Sequence, residues 1–132
     1  MFGLSGTIKD DTKNVVKAAE KAKFRNFRHA GFSISKAAKA SIQRSREPSS
    51  PGSPPHTRGK GRRNLRGAIF VAAEPESVII GPRFSYVGES GEAHEFGREY
   101  KGDQFDERPF MEPALQAAIP RFMAGWRGSV GE

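Results

Sequence analysis

Between residues 8 and 45 the apolar positions fall at helical intervals. Ile8, Val15, Ala19, Ala22, Phe27, Ala30, Ile34, Ala38 and Ile42 are mostly three or four residues apart, with one step of seven and one of five. That is the repeat of a helix with one apolar face. Asp10 and Asp11 fall in its first turn, where the helix dipole favours anions. Lys9, Lys13, Lys17 and Lys21 step by four along one edge and form a cationic ridge. Gly31 interrupts the pattern, and a kink there or a split into two helices near residues 29–33 fits equally well. The stripe is rich in alanine, which permits close approach of another surface but buries little area per residue. A helix this long and this thinly apolar is expected to lean on something outside its own chain.

The helical pattern stops at residue 46. Pro48, Pro51, Pro54 and Pro55 remove backbone donors and hold the chain extended, and Gly52, Gly59 and Gly61 loosen its ends. Residues 46–63 therefore read as an exposed, semi-rigid loop or arm. Residues 62–67 suit a short helical turn. Ala68–Ala73 has the β-branched and aromatic content of a strand, "EPES" turns the chain, and "SVIIGPR" makes a second strand, so the two form a hairpin. Residues 84–107 are glycine-rich and acidic, with one short helical piece at Glu92–Phe96 and a third strand near Glu99–Phe105. A closing helix follows Pro109 and takes Pro113 in its first turn. Leu115, Ile119, Phe122, Met123 and Trp126 share one of its faces, and Pro120 should kink it or divide it into two pieces. The expected fold is a single α+β domain over residues 1–132: a long N-terminal helix, a small antiparallel sheet, a C-terminal helix and a long extended proline-rich loop.

Charge changes this picture. Residues 1–66 carry 16 Lys/Arg against 4 Asp/Glu, a net of +12, whereas residues 67–132 carry 6 against 11, a net of −5. Basic surface attracts polyanions such as DNA, and acidic surface repels them. The same polarity suits head-to-tail contact between copies, with the basic face of one meeting the acidic face of the next. The sequence has no cysteine, which excludes disulfides and thiolate metal sites. No run approaches the roughly 18 apolar residues of a membrane span, and "MFGLSGTIKDD" lacks the apolar stretch of a signal peptide. A product made or assembled in the cytosol, without membrane contact, is expected.

Catalytic and metal chemistry find little support. His29, His56 and His94 show no ligand spacing, and His94-Glu95 begins like H-E-x-x-H but has Arg98 where the second histidine must stand. His94 is expected to pack or to hydrogen-bond. "TRGKGRR" fails as a phosphate loop: six residues separate Gly52 from Gly59 where four are needed, and Gly61 replaces the magnesium-binding hydroxyl. "GESG" at 88–91 lacks the spacing of a nucleophile elbow. The carboxylates at 89–107 sit in a solvated glycine-rich stretch and form no defensible acid–base pair. No catalytic residue, cofactor or metal is expected.

Five segments, taken in order, resemble one family. They are Pro51-Gly52-Ser53-Pro54-Pro55-His56, Asn64-Leu65-Arg66-Gly67-Ala68-Ile69, Val78-Ile79-Ile80-Gly81-Pro82, His94-Glu95-Phe96-Gly97 and Arg108-Pro109-Phe110-Met111-Glu112-Pro113-Ala114-Leu115. Together with a long N-terminal helix, this layout resembles the head–tail connection proteins of tailed bacteriophages, the neck or tail-completion group. "NLRGAI" departs from a cleaner glycine-leucine start, and Lys60, Arg62 and Arg63 make the arm unusually basic.

The resemblance implies a non-enzymatic virion protein, assembled in the host cytoplasm. It implies a homo-oligomeric ring, commonly hexameric, between portal-side connector proteins and the tail tube or terminator, around the DNA channel. On that reading Arg58, Lys60, Arg62, Arg63 and Arg66 form a basic arm that meets phosphate or acidic protein. Ile8, Val15, Ala19, Ala22, Phe27, Phe96, Phe110, Met111 and Leu115 are expected to pack between subunits. The alternative is a free nucleic-acid-binding protein that uses its basic N-terminal half without sequence preference. Against it, no recognised nucleic-acid-binding motif appears.

Overall fold

The computed structural model describes residues 12–127; Ile8, Lys9, Asp10 and Asp11 lie outside the described residues. The element order is α1 (Thr12–Ser41), α2 (Leu65–Ala68), β1 (Ile69–Ala73), β2 (Val78–Pro82), α3 (Phe84–Val87), α4 (Ser90–Phe96), β3 (Glu99–Tyr100), β4 (Asp103–Gln104) and α5 (Met111–Trp126). The fold is α+β, with a long N-terminal helix, small antiparallel hairpins and a C-terminal helix.

β1 and β2 form the expected hairpin, with Val71 opposite Ile80 and Ala73 opposite Val78. Its turn closes through reciprocal backbone bonds between Glu74 and Ser77, at 2.8 and 3.4 Å. Pro75 and Glu76 occupy the tip, and Lys23 of α1 holds the Glu76 carboxylate at 2.7 Å. The third strand expected near Glu99–Phe105 is a separate two-residue hairpin, β3 with β4, and does not join the first sheet.

α1 is one helix of 30 residues that runs unbroken through Gly31. The glycine is there for contact, not for a break. A Cβ at Gly31 would lie 2.6 Å from Val78 Cγ2 and 2.8 Å from Val71 Cγ1, so its bare backbone lets the β1–β2 hairpin lie directly on the helix. The helix ends at Ser41, four residues short of the expected limit, and Gln43–Ser45 turn to pair with Thr57.

The core joins Ile34 and Ala38 of α1, and Ile42 just beyond its end, to Leu65, Ile69, Phe110 and Ala114. Five of the ten buried hydrophobic residues among those described are alanines, so the core is tight but small. Phe27 of α1 stacks with Phe122 of α5, with ring centroids 5.7 Å apart, and Trp126 closes this aromatic corner edge-on at 6.3 Å from Phe27.

Of the two outcomes expected at Pro120, the division does not occur, and α5 continues through it as a single element. Its faces depart from expectation. Its inward side is Ala114 and Ala118, leading to Phe122 and Trp126, whereas Leu115, Ile119 and Met123 are exposed. Alanine faces alanine-rich α1, so the helices approach closely and the longer aliphatic side chains are left outside.

Candidate interaction surface

The proline-rich segment begins where α1 ends. Ser45 donates its backbone N–H to the Thr57 carbonyl at 3.1 Å, and Thr57 donates to the Gln43 carbonyl at 2.9 Å. This short parallel pairing of Arg44 with Thr57 closes the loop 46–56 at its base. Further bonds hold its body. The Glu47 carbonyl lies 2.8 Å from His56 Nδ1, Gly52 donates to the Glu107 carbonyl at 2.8 Å, and Arg108 Nε donates to the Ser49 carbonyl at 3.0 Å. Pro55 is fully buried, and Ser49 and Thr57 are buried beside it. The first part of the expected arm, residues 46–57, is therefore bound to the body of the protein and does not reach out from it. Proline lowers the entropy lost in holding such a loop, and its missing N–H groups need no partners in the buried stretch.

The second part, from Arg58 to Arg63, is exposed throughout. Asn64 anchors its far end. Its Oδ1 accepts from the Gly67 N–H at 2.7 Å and caps α2, and its Nδ2 reaches the Gly59 carbonyl at 3.4 Å. Gly67 lies against the Gly61 carbonyl and Arg62, where a Cβ would collide with backbone. Of the five cations expected in the arm, Arg58, Lys60, Arg62 and Arg63 are thus displayed on a loop fixed at both ends, whereas Arg66 is half-buried in α2. None of them has an ion pair with a described residue, in contrast to Lys23, Arg98 and Arg108, which pair with Glu76, Glu89 and Asp106. Unpaired, closely spaced arginines raise the local potential and favour a polyanion or an acidic protein face.

The fold adds residues that the linear sequence did not bring forward. Arg44 and Arg46, at the mouth of the loop, line with Arg58 and Thr57 a shallow cleft of about 560 Å³. On the other flank the Arg63 guanidinium lies 6.0 Å from the Tyr86 ring centroid. Arg83 lies 5.5 Å from the same ring and 4.8 Å from that of Phe70. Aromatic rings absent from the basic segment in sequence are brought beside it by β1 and α3, so cations and rings alternate across this face. The spacing of Arg83 and Tyr86, three apart in one helical turn, was the available signal.

The segments singled out in the sequence touch one another in this chain. Glu95, buried in α4, accepts from the N–H groups of Phe110, Met111 and Glu112 at 2.9, 3.0 and 2.8 Å. One carboxylate thus satisfies the first turn of α5, where helix donors have no partner of their own. Gly97 holds φ 66 and passes so close to Glu107 that a Cβ would lie 2.8 Å from its backbone nitrogen, which restricts the position to glycine. Pro82 packs on Gly91 at the start of α4, with Leu65 beside it. His94 packs its ring edge-on to Phe105 at 5.0 Å, with Nδ1 buried. Burial, and secondarily the Arg108 charge, hold its pKa below the usual 6.5.

The residues expected to pack between subunits divide into two groups. Phe110 and Ala22 are each 1% exposed and lie within the chain's own core, so they are not available to a neighbour. Phe27 is engaged with Phe122 and Trp126, Met111 packs against the core, and Ala19 is half-buried. Val15, Phe96 and Leu115 are exposed. Ile8 lies outside the described residues. Among the described residues no group of three or more His, Asp or Glu is placed to hold a metal ion, and no helix is long and apolar enough to cross a membrane. No family model, no curated protein and no solved structure matches this chain.

Proposed function

We propose that this chain is a structural protein of a tailed-phage neck. Copies form a hexameric ring that joins the connector of the DNA-filled head to the tail and surrounds the DNA channel. The basic loop meets the phosphate backbone or an acidic surface of a neighbouring ring. The reading is non-enzymatic and needs no cofactor.

The observation that carries it is the way the resembling segments interlock. The proline loop is tied to the segment that opens α5 through Ser49–Arg108 and Gly52–Glu107. Glu95 of "HEFG" caps the helix begun by "RPFM", and Pro82 of "VIIGP" rests on α4 beside Leu65. Segments spread over residues 49–115 serve one kernel, which favours a shared architecture over independent coincidences of short motifs. A further support is the exposure of Val15, Val16, Phe32, Phe84, Phe96 and Met123, more apolar surface than a small solitary domain needs to leave in water.

The test is to replace Arg58, Lys60, Arg62, Arg63 and Arg66 together with Ser or Gln and to score head–tail joining. Loss of joined particles, with filled heads and free tails accumulating, is expected. Undiminished yields of infectious particles overturn the role of the loop. The second reading, a free nucleic-acid-binding protein, is favoured by the alternation of Arg63, Tyr86, Arg83 and Phe70. It predicts tight retention of the isolated chain on DNA at moderate salt.

A further inference from the structure

Near the start of α1, Val15 and Val16 are exposed at 58% and 48%, and Lys13 and Lys17 beside them are exposed as well. A helix of 30 residues is about 45 Å long, longer than the body of a compact chain of this size, whose radius of gyration is about 14 Å. Two helical turns in water gain little from their own hydrogen bonds. Here they display two adjacent valines flanked by Lys13 and Lys17, an apolar spot within a cationic edge.

A groove of matching character lies at the other end of the molecule. It has a volume of about 620 Å³ and a floor of Ile34, Ile80 and Met111. Phe96, 70% exposed, and Leu115, 41% exposed, form apolar walls. Glu107 and Glu112 line it as well, both exposed, and neither pairs with a cation among the described residues. The groove therefore suits a short helical segment that carries aliphatic side chains and positive charge.

The two features cannot meet within one chain. Val15 and Ile34 are nineteen residues apart on the same continuous helix, about 28 Å. We infer that the start of α1 in one copy docks in the groove between α4 and α5 of the next copy. Val15 and Val16 contact Phe96 and Leu115, and Lys13 and Lys17 face Glu107 and Glu112. Such a contact is heterologous: each copy gives one surface and receives with a different one, so copies close into a ring or propagate. This rests on the ring-forming reading above and assigns the surfaces that would close the ring.

The chain has no cysteine, which permits a direct test. Full-length protein carrying Val16→Cys and Leu115→Cys should give, on mild oxidation, a ladder of disulfide-linked dimers and larger species. A control with Val16→Cys and Phe84→Cys, the latter exposed but outside the groove, should give none. Absence of the ladder, or equal ladders in both, overturns the docking. Lys13→Glu with Lys17→Glu, and separately Glu107→Lys with Glu112→Lys, should each weaken self-association about tenfold or more, and mixing the two proteins should restore paired species. Unchanged association in both, or a wild type that stays monomeric at every attainable concentration, overturns it too. Head–tail joining is scored separately. Loss of joining without cross-links removes only this docking, and cross-links in a chain that particles do not need remove only the neck reading.

Discussion

The Glu95 carboxylate lies 2.9 Å from the backbone nitrogen of Phe110 and accepts its N–H, although the two are fifteen residues apart, Glu95 within α4 and Phe110 at the N-cap of α5. Met111 and Glu112 donate to the same carboxylate. The start of α5 is thereby capped from outside the helix, and Phe110, 1% exposed, is set into the core beside Ile34 and Leu65. Glu95→Ala leaves three donors in or near the core without this partner. It should cost about 2 kcal/mol or more, a fall of roughly 8 °C in Tm by calorimetry. Glu95→Gln keeps one acceptor oxygen and should recover part of the loss.

Phe110 is 1% exposed and Phe96 70%, and the two should behave oppositely. Phe110→Ala empties the centre of a small core and should cost about 3–5 kcal/mol, enough to blunt or abolish cooperative urea unfolding. Phe96→Ala removes an exposed ring and should change monomer stability by about 0.5 kcal/mol or less, while weakening self-association.

Gly31→Ala tests the contact between helix and hairpin. In a free helix the change gains about 1 kcal/mol. Here the methyl group would meet Val78 and Val71, both stiff at χ1, and should cost about 1–3 kcal/mol through displacement of the hairpin. Urea midpoints should show a net loss in Gly31→Ala and recovery when Val78→Ala is added.

His94 supplies a pH dependence. Its folded pKa is below 6.5, through burial first and Arg108 second, so the unfolded chain binds the proton more readily. Its contribution to stability is complete above about pH 6.5 and is lost as pH falls from there toward the lowered folded value. Unfolding midpoints followed across this range should decline in the wild type. His94→Phe, which keeps an aromatic ring against Phe105, should decline less.

The basic loop has a salt signature. If Arg58, Lys60, Arg62, Arg63 and Arg66 contact phosphates, the slope of log affinity against log salt on duplex DNA should fall by about 0.9 for each contact removed. Replacing all five should flatten it accordingly, equally on unrelated sequences. A slope that does not move assigns these cations to a protein face.

Much of this architecture could be read along the chain, and the exceptions have physical reasons. The hairpin was legible because β-branched runs flank "EPES" and nothing else competes for them. The buried side of α1 was legible at Ala22, Ile34 and Ala38, and Ile42 just past its end follows the same spacing. The side of α5 was not: Leu115, Ile119 and Met123 suggested a core face, but the partner surface is alanine-rich and selects Ala114 and Ala118 by closeness. Gly31 reads alone as a break, and only the valines above it reveal a contact. The arm was legible as extended and basic. Its attachment was not, because Arg108 and Glu107 lie more than fifty residues beyond the backbone groups of Ser49 and Gly52 that they bind. The rings of Phe70 and Tyr86 beside Arg63 and Arg83 likewise depend on tertiary folding.

On the proposed function, the chain works as one of several copies at the junction between a phage head and its tail. Electron microscopy of particles in which this chain carries a density label tests that most directly. The account predicts label in a ring at the neck of joined particles, and separate filled heads and tails when the chain is deleted. Normal joined particles without the chain, or label absent from the neck, would contradict it.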